Sequence, residues 1–117
     1  MPQKRYHIII DISDAPPGPL TDEAGLREFL KALPGRIGMH VLKGPEIAVG
    51  IPENPGLSGF VIIDYSHISV HTFTASGDAM VDIFSCKPFE QEDAVDFALK
   101  HFQVPREKAR IKVVFWE

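Results

Sequence analysis

Short runs of apolar residues, several of them alternating with polar ones, recur along this chain of 117 residues. Runs of about four to eight residues that are rich in β-branched and aromatic side chains are typical of β-strands. The segments that fit this pattern are Arg5–Ile12, Met39–Leu42, Phe60–Asp64, His67–Phe73, Ala79–Ser85 and Arg110–Trp116. The turn-forming residues Ala75–Asp78 separate the fourth segment from the fifth, as expected of a hairpin.

Two longer segments repeat their apolar residues with the period of an α-helix. Thr21 is the predicted N-cap of the first helix, and Pro34 with Gly35 is predicted to end it. Its apolar stripe consists of Leu26, Phe29, Leu30 and Leu33. The second helix spans Phe89–Phe102, with Phe89, Ala94, Phe97, Ala98 and Leu99 predicted to be buried. Between the two helices, Gly44–Gly56 contains three prolines and three glycines, which predicts a long loop of the kind that often has a function.

The order of these elements is β-α-β, then a run of strands, then α-β. Short links and segregated helices favour an α+β fold, here a two-layer sandwich with two helices packed on one face of a mainly antiparallel sheet. The length suits a single domain over residues 1–117.

Charge and cysteine content narrow the class of protein. The formal net charge is -4, and no run of Lys or Arg forms a phosphate-binding stripe, so no nucleic-acid partner is expected. Cys86 is the only cysteine, which excludes an internal disulfide and predicts a reducing, cytoplasmic location. No apolar run has the length of a signal-peptide core or a membrane span, so no membrane partner is expected.

The segment Asp64–Phe73 carries an unusual density of reactive side chains. His67 and His71 lie about 13 Å apart on a strand, too far to share one ion, so no metal site is predicted. A nucleophile-base pair of Ser66 or Cys86 with His71 is a second option, but no G-x-S-x-G elbow surrounds Ser66. Taken singly, these residues are better explained as turn, strand and core residues than as parts of a catalytic site.

In combination, the same residues resemble a known family. The segments YSHISVHTF and VDIFSC are similar to the core of the prokaryotic S-adenosylmethionine decarboxylases. The matching residues are Ser66, His67, Ser69, His71, Thr72, Phe73, Asp82, Phe84, Ser85 and Cys86. The lead-in GLSGFVII at Gly56–Ile63 and the opening strand YHIIIDI at Tyr6–Ile12, with His7 and Asp11, also resemble that family.

The resemblance implies an enzyme that makes its own cofactor. The Ser66 hydroxyl attacks the carbonyl carbon of Tyr65, and β-elimination then cuts the chain into residues 1–65 and 66–117. The remnant of Ser66 becomes a pyruvoyl group, whose ketone supplies the electron sink that amino-acid decarboxylation requires.

The resemblance also implies roles for neighbouring residues. His71 and Ser58 match the residues that assist self-cleavage. Cys86 matches the residue that returns a proton to the substrate carbon, a task open to a protonated thiol. The implied substrate is S-adenosylmethionine, the implied product supplies the aminopropyl group for spermidine, and the implied assembly is a homodimer with active sites near the interface.

Three features of the sequence leave alternatives open. Ser66 and His71 would lie about 16 Å apart on opposite faces of a straight strand, so they can cooperate only if the chain turns or bulges near Tyr65–His67, or if His71 acts mainly on another step. Tyr65 stands where the family usually has glutamate, and Ala75 stands where it has a carboxylate that helps to hold the ribose. The alternatives are a pyruvoyl enzyme that decarboxylates arginine or ornithine, and an unprocessed, non-enzymatic relative that binds a small molecule or a partner.

Overall fold

Six strands form one sheet in the computed structural model, which describes residues 4–115. The strands are β1 (Tyr6–Ile12), β2 (Val41–Ile51), β3 (Asn54–Ile63), β4 (Ser66–Phe73), β5 (Asp78–Ser85) and β6 (Ala109–Phe115). They lie in the order β2-β3-β4-β5-β1-β6, and every neighbouring pair is antiparallel. The predicted α+β class is confirmed, and the predicted end of the last strand at Trp116 lies outside the described residues.

Three α-helices within residues 4–115 accompany the sheet: α1 (Pro17–Thr21), α2 (Glu23–Arg36) and α3 (Gln91–Phe102). The predicted N-cap at Thr21 is wrong, because Asp22 caps α2 by accepting a hydrogen bond from the Gly25 N–H at 2.9 Å. Thr21 instead ends α1, where its hydroxyl donates to the Pro17 carbonyl at 3.0 Å. Pro17 is compatible with helix here because the first helical position has no intrahelical N–H bond to lose.

The long loop predicted at Gly44–Gly56 is also wrong, because this segment forms most of the β2–β3 hairpin. The register of the hairpin shifts in three places, which lets the edge strand β2 contain Pro45. Gly56 has φ of 149°, and a Cβ there would lie 1.9 Å from the Thr72 carbonyl oxygen. Turn-forming residues thus mark irregularities inside a hairpin rather than a loop.

Alternation along the strands separates a buried face from an open one. The fully buried strand residues include Ile8, Ile10, Ile12, Val61, Ile68, Val70, Val81 and Ile83. They pack in one core with helix residues that include Leu26, Leu30, Leu33, Ala94, Ala98 and Phe102. The residues between them, among them His71 and Phe60, lie on the face that the helices do not cover. That uncovered side of the sheet is called the open face below.

His101 is packed into the helical layer without a complete set of polar partners. Its ring stacks on Phe29 with 4.6 Å between centroids, and within the described residues its Nε2 is buried with no hydrogen-bond partner. Desolvation lowers the pKa of His101 from its ordinary value of 6.5, and the negative charge of Asp22 opposes this only in part. The folded protein therefore disfavours the imidazolium form.

This burial predicts a loss of stability in mild acid. The unfolded chain binds a proton at His101 at higher pH than the folded chain does, so stability falls as pH drops below about 6.5. Thermal unfolding at about pH 7.5 and about pH 5.5 measures the loss, and His101→Phe, which keeps the ring contacts and removes the titration, should reduce it. An equal loss in both proteins would contradict the prediction.

Candidate active site

The peptide bond between Tyr65 and Ser66 lies at the end of a tight hairpin turn. Ile63 and Ser66 face each other across β3 and β4, so the turn itself consists of Asp64 and Tyr65. Two-residue hairpin turns favour Gly or Asn at positions of positive φ, and neither is present here. The positive φ falls instead on Ser66, at 143°. A non-glycine residue in that region carries about 1–3 kcal/mol of strain, and such strain is frequent at functional sites.

The carbonyl of Tyr65 is held by a backbone donor. The Cys86 N–H donates to the Tyr65 oxygen at 2.9 Å. Cys86 reaches this position because Ser66 and Ser85 are paired across β4 and β5, and Cys86 directly follows β5. A backbone N–H aimed at a carbonyl oxygen is the kind of group that stabilises an oxyanion. The structure thus brings Ser66, the Tyr65 carbonyl and Cys86 together at one end of the sheet.

Asp64, the other turn residue, is fixed by His40. The Asp64 carboxylate accepts from the His40 backbone N–H at 2.9 Å and lies 3.1 Å from the His40 Nδ1, while the Asp64 N–H donates to the His40 carbonyl at 3.0 Å. The hydrogen bond from the His40 backbone lowers the pKa of Asp64, which keeps the carboxylate ionised. The start of the turn is therefore tied to the segment that leads into β2.

Ser58 and His71 form a second pair of reactive residues. They lie directly opposite each other on β3 and β4, and the Ser58 Oγ is 2.8 Å from the His71 Nδ1. Both side chains are on the open face, beside a cavity of about 410 Å³. The cavity is lined by Glu46, Ile47, Ala48, Ser58, Gly59, Phe60, Ser69 and His71.

Within one chain the two pairs are separate. Ser66 and His71 are five residues apart on β4, a distance of about 16 Å along a strand. Ser66 is in phase with the buried Ile68 and Val70, whereas His71 is in phase with the exposed His67. The separation expected from the sequence is therefore present, and no bulge near Tyr65 removes it.

The pairing register also reveals contacts that sequence reasoning missed. His7 Nε2 lies 2.7 Å from the Asp82 carboxylate on the open face. The Phe84 ring contacts the imidazoles of His7 and His67, with centroids 5.3 and 5.6 Å apart. Strand alternation places all four side chains on one face, but only the register of β1 against β5 brings His7 next to Asp82.

No group of three or more His, Cys, Asp or Glu side chains within residues 4–115 is arranged to hold a metal ion. None of the helices in the same range has both the length and the apolar character needed to span a membrane.

A solved structure shares the whole fold. The adenosylmethionine decarboxylase from Aquifex aeolicus superimposes with a TM-score of 0.80 and 22% sequence identity, covering 98% of this chain and 92% of that one. At this level of identity the likeness establishes the α+β fold.

Sequence comparison establishes the family. The family model for S-adenosylmethionine decarboxylase matches residues 6–112, and the chain belongs to that family. An S-adenosylmethionine decarboxylase proenzyme from Pyrococcus furiosus is 34% identical over 100 residues, which is 84% of this chain and 69% of the relative. A proenzyme of the same name from Parasynechococcus marenigrum is 36% identical over 80 residues, which is 68% of this chain and 60% of the relative.

Proposed function

We propose that this protein cleaves itself between Tyr65 and Ser66 and then decarboxylates S-adenosylmethionine, supplying the aminopropyl donor for spermidine biosynthesis. Membership of the family supports the activity. The observation that carries the proposal is the Tyr65–Ser66 peptide itself, whose serine has φ of 143° and whose carbonyl accepts from Cys86 N–H at 2.9 Å. The two products are residues 1–65 and 66–117 of one folded unit.

Self-cleavage needs no outside reagent other than water. The Ser66 Oγ adds to the Tyr65 carbonyl carbon, the C–N bond breaks, and the serine nitrogen takes up the proton that the hydroxyl loses, which leaves an ester and a free amine. Loss of the Ser66 Cα proton then expels the Tyr65 carboxylate and leaves a dehydroalanine. This group takes up water and releases ammonia, which yields the pyruvoyl group at the N-terminus of residues 66–117.

The local geometry fits each part of this process. The Cys86 N–H stabilises the oxyanion that forms on Tyr65, because it already points at that oxygen. Strain at Ser66 is relieved when the peptide bond breaks. The pyruvoyl group supplies a carbonyl that accepts the electron pair left by carbon dioxide. Cys86, half-buried beside position 66, donates a proton to the substrate carbon.

In a homodimer, the second chain supplies the residue that assists cleavage. Ser58 and His71 cannot reach Ser66 of their own chain, so His71 of a second copy takes the role of assisting cleavage. The open face suits such an assembly because Phe60 and Ile62 are 44% and 38% exposed on it. Exposed apolar side chains on an uncovered sheet favour association with another surface.

The cavity beside Ser58 and His71 suits the substrate. Its volume of about 410 Å³ lies in the range of small-molecule sites, roughly 300–1,000 Å³. Phe60 provides an apolar surface, and the Glu46 carboxylate provides a negative charge for a cationic ligand such as a sulfonium. A reducing, cytoplasmic location would keep the Cys86 thiol free.

Intact mass measurement of the purified protein tests the proposal. Two fragments that correspond to residues 1–65 and 66–117, the second beginning with a pyruvoyl group, are expected. A chain that stays whole on prolonged incubation would refute the enzyme and favour a binding role. Release of labelled carbon dioxide from S-adenosylmethionine, compared with arginine and ornithine, then identifies the substrate.

Cys86→Ala is expected to separate cleavage from turnover. The backbone N–H that holds the Tyr65 carbonyl remains, so the chain still divides, but the proton donor is lost. General acid catalysis typically contributes about 10²–10⁴-fold, so turnover should fall by at least a hundredfold. Turnover is measured per pyruvoyl group by carbon dioxide release, and an unchanged value would remove Cys86 from this role.

A further inference from the structure

Lys87 contacts the residue whose carbonyl is attacked in the proposed cleavage. Its Nζ lies 4.9 Å from the centroid of the Tyr65 ring, a distance typical of a cation–π interaction. The same Nζ donates to the Gly38 carbonyl at 3.2 Å. The ammonium group is therefore held on one side by the turn that follows α2 and on the other by Tyr65.

The backbone of Lys87 is also fixed. The Lys87 N–H donates to the Ser85 Oγ at 2.9 Å, and the Ser85 hydroxyl donates to the Lys87 carbonyl at 2.7 Å. Ser85 is fully buried at the end of β5. These two hydrogen bonds fix the backbone of Lys87, so its side chain extends from a rigid position, as positioning residues require.

Tyr65 is thus attached at two points by consecutive residues. Cys86 holds its carbonyl oxygen and Lys87 covers its ring. A two-residue turn whose tyrosine is 38% exposed would otherwise let the peptide plane rotate. Two attachments hold the carbonyl carbon in one orientation toward the Ser66 hydroxyl, and such orientation accelerates an attack within one molecule.

We propose that Lys87 is a positioning residue for self-cleavage, acting through the Tyr65 ring to orient the scissile carbonyl. This inference rests on the proposed function, because it concerns the rate of that cleavage. The contact depends on the tyrosine that this chain has at position 65, because a lysine ammonium binds the face of an aromatic ring.

A time course of self-cleavage after cell-free synthesis of the full chain tests this role. Lys87→Met removes the charge at similar length, and Tyr65→Leu removes the ring. Each is expected to slow cleavage about two- to fivefold, the effect of one partly exposed cation–π contact. Lys87→Arg and Tyr65→Phe keep the contact and should cleave at nearly the wild-type rate.

The double variant Lys87→Met/Tyr65→Leu shows whether the two residues act together. A shared contact is lost only once, so the double variant should be no slower than the slower single variant. Effects that multiply, or wild-type cleavage in Lys87→Met, would overturn the role of Lys87 while leaving the proposed function intact. A wild-type chain that never cleaves would instead refute the proposed function, and this inference with it.

Discussion

Ser66→Ala is expected to leave a chain of 117 residues that never divides and releases no carbon dioxide above background. Alanine has no hydroxyl to attack the Tyr65 carbonyl, and without elimination at position 66 no pyruvoyl group forms. The loss of cleavage and the loss of turnover have this one cause, so a higher substrate concentration cannot restore activity. Denaturing gels over several days and carbon dioxide release are the two measurements.

The matched control for this loss is Ser76→Ala. Ser76 lies in the exposed turn between β4 and β5, where its hydroxyl contacts only the Phe73 carbonyl at 3.5 Å among the described hydrogen bonds. This variant should cleave and turn over as the wild type does. Cleavage or turnover in a folded Ser66→Ala protein would contradict the pyruvoyl mechanism, and thermal unfolding shows that the variant is folded.

The sequence was sufficient for most of the sheet because alternation is a local property. Segments such as His67–Phe73 and Ala79–Ser85 show their buried face in their own residues, and they lie in β4 and β5. The hairpin at Gly44–Gly56 was missed for the opposite reason. Its prolines and glycines indicate a loop, and the register shifts that let an edge strand contain Pro45 depend on its partner strand.

The candidate site was also only partly predictable: its residues could be identified from the sequence, but the contacts between them could not. The segments that resemble the family contain Ser58, Ser66, His71 and Cys86, the residues for which reactive roles are proposed. These segments do not show which of the residues touch. Contacts such as Ser58 with His71 at 2.8 Å arise from the register of β3 against β4, and register is a property of pairs of strands. The hydrogen bond from Cys86 to Tyr65 has the same origin.

Register also explains why Ser66 and His71 of one chain are separated. Successive residues of a strand are about 3.3 Å apart, and their side chains point to alternate faces of the sheet. Ser66 and His71, an odd number of positions apart, therefore cannot meet on a straight β4. In the proposed homodimer a second copy supplies its own His71, so the separation along a single β4 no longer decides whether the two residues can meet.

Two inactive variants are therefore expected to restore each other. His71→Ala should lose self-cleavage, since a general base typically contributes about 10²–10⁴-fold, and Ser66→Ala cannot cleave at all. In a mixed dimer, one site combines Ser66 of the His71→Ala chain with His71 of the Ser66→Ala chain. Random assembly gives about half mixed dimers, so about half of the His71→Ala chains should be cut.

Co-expression of the two chains, distinguished by mass, measures this outcome directly. Only the His71→Ala chain is expected to divide, because the other chain lacks the serine that is consumed. Co-expression of His71→Ala with a Ser66→Ala/His71→Ala double variant supplies the control, since no intact histidine is then present. If the first mixture also stays whole while wild-type protein cleaves, His71 acts within its own chain, and β4 must bend during cleavage to bring it to Ser66.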